Sequence, residues 1–356
     1  MNVKVLIVDD SALMRKLFSQ LFSRNGLEVV TARDGEEAID VAVREKPDVI
    51  TLDINMPKMD GITCLSLLNK MHPCPIIMLS SLTLKGALVT LEALALGASD
   101  YVLKPGGTVS TDISSIESEL ISKVQSLTKG VATRKAVRKT TVVTAPVKKT
   151  ETPKKAKATP TPVARTRIDC VLVGVSTGGP KKLEQLLTAL PANFNAPIVI
   201  SQHMPMAFTQ ALANRLDKLC QLKVVEVSEK MRLMPGTAYI AKGEADVVFL
   251  KDGGHLAVRP VPANPNYLWH PSVDRMVESA NSQFDPARLL CIQLTGMGCD
   301  GVAAMSVSYN RGATVIAESE ATATVFGMPR ELIEAGCVHH ILESHHIAQT
   351  VMRICA

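Results

Sequence analysis

The chain has 356 residues, 46% of them apolar and 21% charged, which predicts two or three domains that can each bury a core. That balance excludes wholesale disorder, a collagen-like repeat, a coiled coil and a small disulfide-stapled scaffold, and no run reaches the roughly 18 uncharged apolar residues of a membrane span. Aromatic residues are 3%, with Trp269 the single tryptophan, which argues against a sugar-stacking or RNA-stacking surface.

Residues 3–8 (VKVLIV) are a short continuous apolar run, the pattern of a strand buried on both faces. Acidic residues follow at once, so the start is not expected to be a secretory signal. Ser11 can cap a helix whose apolar stripe is Leu13, Leu17 and Leu21, with Met14, Phe18 and Phe22 beside it. Further apolar runs at 28–32, 48–53, 75–80 and 99–104 alternate with amphipathic stretches such as 35–45 and 85–96. Five strands alternating with helices predict a doubly wound parallel α/β sheet.

Sites in such sheets lie at the carboxyl ends of the strands. Asp9 and Asp10 follow the first strand, Asp53 ends the third, Ser80 the fourth, and Lys104 the fifth. Three clustered carboxylates repel one another unless a hard divalent cation such as Mg²⁺ joins them. One carboxylate could then accept a phosphoryl group whose oxygens are held by Lys104 and the Ser80 hydroxyl.

The net charge of +5 is unevenly spread. Between Lys129 and Arg167 twelve basic residues face one acid, Glu151, in a stretch rich in Thr, Pro, Ala and Val. This segment cannot bury enough surface to offset ordering entropy, so 126–167 is expected to be a flexible basic linker. Residues 1–125 and 168–356 then form the two domains. Eight cysteines (Cys64, Cys74, Cys170, Cys220, Cys291, Cys299, Cys337, Cys355) include no C-x-x-C pair and are expected as free thiols in a reducing cytoplasm, without zinc.

In the second domain a predicted strand, 169–173, leads into GVSTGGP, where Gly174 to Gly178 satisfy G-x-S-x-G and present Ser176 at a strand-to-helix turn. A dinucleotide loop fits poorly, because Ser176 replaces the middle glycine and the next strand, 198–201, ends in Gln202-His203. The α/β-hydrolase elbow needs the chain order serine, acid, histidine, whereas here His203 precedes the available acid, Asp300. A glycine-rich helix entry without activity stays open for Ser176 alone. A third strand, 288–294, leads into TGMGCDG, which carries Asp300. Three strand ends thus supply a hydroxyl, an imidazole and a carboxylate, the minimum for an activated serine, and the Met297 N–H is a candidate oxyanion donor.

VLIVDDSALMR, DVITLDINMPKMDG, PIIMLSS and GASDYVLKP resemble the receiver domain of two-component response regulators over residues 1–125. The resemblance implies that Asp53 is the phosphoacceptor, that Asp10, Asp53 and the Asn55 carbonyl ligate Mg²⁺ with Asp9 in support, and that Ser80, Tyr101 and Lys104 are switch residues. GVSTGGP, QHMP, MPGTAYIAKG, HPSVD, LTGMGCDG and FGMP resemble the catalytic domain of the chemotaxis protein-glutamate methylesterases, the CheB family, from 168 to about 350. This implies hydrolysis of glutamate methyl esters and deamidation of glutamines on chemoreceptors, in sensory adaptation. It also implies a doubly wound, mostly parallel hydrolytic domain, a histidine kinase as phosphodonor, and an esterase reaction needing no cofactor.

Carried over, the catalytic residues are Ser176, His203 and Asp300, with Met297 at the oxyanion site and Thr177, His270 and Arg215 lining the site. The sequence departs from the family pattern at EADVVF after YIAKG, at Glu318-Ser319-Glu320, and at VAAM after LTGMGCDG. His339, His340, His345 and His346 near the end are expected to be solvated or structural. Neither nucleic acid nor membrane insertion is expected. The rival readings are a response regulator with a binding-only output and an esterase or amidase serving a sensory system other than chemotaxis.

Overall fold

The computed structural model describes residues 3–104, 113–137 and 167–356. In the first unit β1 (Lys4–Val8), β2 (Glu28–Ala32), β3 (Val49–Asp53), β4 (Ile76–Ser80) and β5 (Asp100–Leu103) form a parallel sheet in the order β2-β1-β3-β4-β5. It is flanked by α1 (Ala12–Arg24), α2 (Gly35–Glu45), α3 (Gly61–Met71), α4 (Leu84–Ala95) and α5 (Ile113–Val137). The central strands β3 and β4 are buried along their whole length, as their unbroken apolar runs require. Side-chain oxygens of Ser11, Asp34, Asp60 and Thr83 accept main-chain N–H bonds at the starts of α1 to α4.

Two expectations need correcting. The buried face of α1 is Phe18, Leu21 and Phe22, whereas Leu13 is 71% exposed. Leu13 sits in the first turn, above the sheet edge, and the contact stripe starts one residue later at the partly buried Met14. A continuous helix also crosses residue 125, where the flexible linker was expected to begin. Helix α5 runs to Val137, and Leu127 packs in the same buried cluster as Leu120 and Val124. The remainder of the expected linker, 138–166, lies outside the described residues.

The second unit contains β6 (Cys170–Val175), α6 (Gly179–Thr188), β7 (Ile198–Gln202), α7 (Met206–Leu219), β8 (Lys223–Val227), β9 (Met231–Arg232), β10 (Thr237–Ala241), β11 (Ala245–Asp252) and β12 (His255–Pro262). It continues with α8 (Val273–Gln283), β13 (Leu289–Gln293), α9 (Val302–Asn310), β14 (Thr314–Glu318), α10 (Met328–Glu334), β15 (His340–Leu342) and α11 (Ser344–Ile354). Seven strands form one sheet, β15-β14-β13-β6-β7-β10-β8, in which every pairing is parallel. The strands β11, β12 and β9 make a separate antiparallel sheet, and β11 packs on α8. The neighbours β13, β6 and β7 occupy the centre, so the three loops that leave them meet on one edge.

The two units are packed together. Helix α4 lies against α6 and α7, the Tyr101 ring stacks on Phe208 of α7 with centroids 4.8 Å apart, and the Ser126 hydroxyl of α5 meets the Met297 sulfur at 3.0 Å. No helix among the described residues is long and apolar enough to cross a membrane. All eight cysteines are free, and only Cys299 is exposed.

Candidate active site

Ser176 follows the last residue of β6 and His203 the last residue of β7; those residues, Val175 and Gln202, are register partners. The His203 N–H donates to the Val175 carbonyl at 3.0 Å, which ties the two strand ends together. The glycines after Ser176 are required by close approach: a Cβ at Gly178, whose φ is +77°, would lie 2.3 Å from the Thr324 hydroxyl, and one at Gly179 2.0 Å from the Gln202 side-chain oxygen.

The loop after β13 completes the cluster. A Cβ on Gly296 would lie 2.7 Å from the Ser176 Cβ, so the loop backbone rests directly on the serine. The Ser176 N–H donates to the Thr295 carbonyl, and the Gly296 N–H is taken by the Val325 carbonyl. Among the described residues the N–H groups of Met297 and Thr177 have no partner and remain available to an incoming oxygen.

His203 Nε2 lies 2.8 Å from Asp300 Oδ2. Asp300 also accepts bonds from the Ser272 hydroxyl at 3.1 Å and from the N–H groups of Val273 at 2.7 Å and Asp274 at 2.9 Å, at the start of α8. Burial acts to raise the Asp300 pKa, but the His203 contact and these N–H bonds outweigh it and hold the carboxyl below its ordinary value. An ionised Asp300 only accepts, so Nε2 carries the imidazole proton. Nδ1 is then the ring's free lone pair, and it is buried with no hydrogen-bond partner among the described residues. The Ser176 hydroxyl likewise forms no bond there; such contacts often tighten only with substrate bound.

A shell of residues that sequence reasoning missed supports this cluster. Trp269 stacks on the His203 ring with centroids 5.5 Å apart and planes 14° from parallel. Buried Asp246 accepts from Asn264 N–H at 3.2 Å and Ser272 N–H at 2.9 Å and pairs with His270 Nδ1 at 2.9 Å, so it clasps both ends of the loop that carries Trp269. Buried Glu318 accepts from the Thr295 N–H at 2.9 Å and pairs with Lys182 at 3.1 Å. Asp246 and Glu318 fall in the segments where the sequence departs from the family pattern, and that departure was their only signal. His270 lies beside the cluster, but Arg215 does not. It stands far along α7, paired with Glu184 in the cleft between α4 and α6.

At the first sheet's edge, carboxylate oxygens of Asp9, Asp10 and Asp53 lie within 4.8 Å of one another, the only such metal-compatible group among the described residues. Lys104 Nζ pairs with Asp9 at 2.9 Å and with Asp53 at 2.7 Å. Burial pushes the Asp53 carboxyl up, against the pull of Lys104. Burial works against the Lys104 charge, yet its bonds to Asp53 and Asp9 keep its pKa above the ordinary value. Asn55 donates its N–H to Asp53 at 3.3 Å. The Ser80 hydroxyl is turned to α4, where it accepts from Thr90 at 2.6 Å and reaches the Gly86 carbonyl at 3.5 Å.

The two edges together define a two-part α/β enzyme, a receiver joined to a hydrolytic domain. Residues 5–110 match the response regulator receiver domain, and residues 171–351 match the CheB methylesterase family. The chain belongs to that family. The protein-glutamate methylesterase/protein-glutamine glutaminase 3 of Rhodospirillum rubrum is 48% identical over 97% of this chain and 94% of the relative. Its counterpart 3 from Vibrio cholerae is 42% identical over 93% and 91%. The crystal structure of the Thermotoga maritima CheB methylesterase catalytic domain matches 52% of this chain and 98% of its own, with 35% identity and a TM-score of 0.51.

Proposed function

We propose that this chain removes methyl groups from glutamate side chains of chemoreceptors and deamidates receptor glutamines, for sensory adaptation in chemotaxis, under control of its own receiver. The observation that carries the reading is the Asp300-held His203, whose buried, unpartnered Nδ1 lies at the same sheet edge as Ser176.

Ser176 Oγ attacks the ester carbonyl carbon as its proton passes to His203 Nδ1. The Met297 and Thr177 N–H groups receive the negative carbonyl oxygen, and a donor of this kind is worth about 3 kcal/mol of barrier. When the tetrahedral adduct collapses, the C–OCH₃ bond breaks and the leaving oxygen takes the proton from His203, giving methanol. A water molecule, deprotonated by the same Nδ1, then attacks the acyl-serine; the C–Oγ bond breaks, Ser176 Oγ takes the proton back from His203, and the glutamate is freed. With glutamine as substrate, ammonia leaves in place of methanol. Asp300 keeps the ring oriented and offsets its charge in each half of the cycle.

Asp53 is the phosphoacceptor in this reading, with a histidine kinase as donor and the cytoplasm as the working compartment. The all-oxygen donor set suits Mg²⁺, held by Asp10, Asp53 and the Asn55 carbonyl with Asp9 in support. The ion, when bound, would offset the charge of the phosphoryl oxygens. A phosphoryl group adds close to two negative charges beside Lys104 and competes with Thr90 and Gly86 for the Ser80 hydroxyl. Those partners belong to α4, which packs on the hydrolytic domain. Phosphorylation thereby loosens the docking of α4 on α6 and α7, and with it the receiver whose α5 reaches Met297 beside Ser176.

The test is methanol release from methylated receptor membranes, with and without a small phosphodonor. Release that rises with phosphodonor and disappears in Ser176→Ala is the expected result. Undiminished release from Ser176→Ala would remove the serine mechanism.

A further inference from the structure

We propose that Trp269 is a positioning residue for the hydrolysis: its indole backs the His203 imidazole and favours the protonated ring that forms when Ser176 gives up its proton. This rests on the esterase reading above and adds a residue to it. The two rings are nearly parallel, at a centroid separation within the ~6 Å at which a cation gains from an aromatic face. Indole is the strongest of the natural aromatic partners for a cation. The His203 ring is neutral before reaction and cationic in the transition state, so the attraction grows as the barrier is climbed. That is the condition for an interaction to accelerate the step.

Trp269 is held for this task. Asp246 clasps its loop at Asn264, His270 and Ser272, and Tyr267 donates a bond from the loop to Glu278 of α8. On the far side the indole Nε1 would lie 3.6 Å from a Cβ at Gly298, so the ring spans from His203 to the oxyanion loop. Trp269 is 37% exposed, so the stack is not a by-product of core packing. Among the charged or titratable groups of the loops that hold this stack, Asp300 pairs with His203 directly, the Asp274 N–H donates to Asp300, and His270, next to Trp269, is paired with Asp246. Each belongs to the hydrolytic domain.

The chain has one tryptophan, so the emission of the full-length protein reports this contact without a label. Imidazolium quenches indole more strongly than imidazole. The wild-type protein should therefore lose emission as acid protonates His203, and the step should vanish in His203→Gln. A step that survives in His203→Gln belongs to His270 and overturns the contact. In parallel, the pH dependence of methanol release is measured on methylated receptor membranes with phosphodonor. Trp269→Leu should move the acidic limb of kcat/KM to lower pH by about half a unit and reduce plateau kcat about threefold, with Trp269→Phe between it and wild type. An acidic limb that stays in place in Trp269→Leu, or in Trp269→Phe if the leucine variant does not fold, overturns the proposal. If the wild-type protein releases no methanol at any pH, the esterase reading fails by itself, and the fluorescence comparison still decides the contact.

Discussion

The Ser126 hydroxyl of α5 lies 3.0 Å from the Met297 sulfur, so the last helix of the receiver touches the residue that offers a free N–H beside Ser176. Met297 and Val325 belong with Leu120, Val124 and Leu127 in one apolar cluster shared by the two domains. Ser126→Arg forces a long cation into this cluster at a cost of about 1–3 kcal/mol to the docked arrangement. Methanol release without phosphodonor should rise at least fivefold and respond less to phosphodonor. Unchanged basal release would mean that this contact does not restrain the esterase.

Asp300→Asn keeps the size of the side chain but turns an amide toward donors that need an acceptor, and it removes the charge opposite His203. Turnover should fall by about three to four orders of magnitude, as when the orienting carboxylate of other serine hydrolases is neutralised. Circular dichroism checks that the fold persists.

The same residue sets a pH dependence of stability. The Asp300 carboxyl is held below its ordinary value of 3.8 in the folded protein, so folding favours its ionised form. Its contribution is fully present above the unfolded value and is lost as pH falls through the folded one. The difference in Tm between wild type and Asp300→Asn should be present at about pH 5 and should close as pH falls below about 4. Calorimetry of the full chain over that range checks it. A difference that widens in acid would reverse the sign.

The acid cluster of the receiver predicts stabilisation by magnesium. Millimolar MgCl₂ should raise the Tm of the receiver by a few degrees, the gain expected when a ligand exceeds its Kd about tenfold. Asp10→Asn, which changes an exposed member of the cluster, should lose most of that rise. An equal response in the variant would exclude Asp10 as a ligand.

Glu318→Gln retains an acceptor for the Thr295 N–H but leaves the Lys182 ammonium without its buried partner. Breaking such a pair from one side costs about 3–5 kcal/mol. Adding Lys182→Met should recover most of it, because no charge is then stranded. Urea denaturation of the single and double variants measures both effects.

The residue clusters at the strand ends were the legible ones, because they follow continuous apolar runs. The five receiver strands fall within a residue of their expected limits, and Asp9, Asp53 and Lys104 meet where those strands end. Ser176, His203 and Asp300 gather at one edge because a parallel sheet leaves little choice. The supporting shell was not legible. Asp246 lies in a hairpin outside the main sheet, and Glu318 acts through a Lys182 that is distant in sequence. No local pattern marks a buried carboxylate whose partners come from other elements. The exposed Leu13 and the long α5 show a further limit, since periodicity alone does not fix which turn of a helix begins the contact.

The clasp made by Asp246 has an evolutionary consequence. Because it fastens Asn264 at one end and His270 with Ser272 at the other, the tip ahead of Trp269 can be rewritten without disturbing the anchored ends or the indole on His203. Leu268 at that tip is 83% exposed, next in sequence to the Trp269 that stacks on His203. A duplicated gene could thus acquire taste for a different receptor by exchanging a handful of codons there, while the inherited hydrolytic apparatus stays intact.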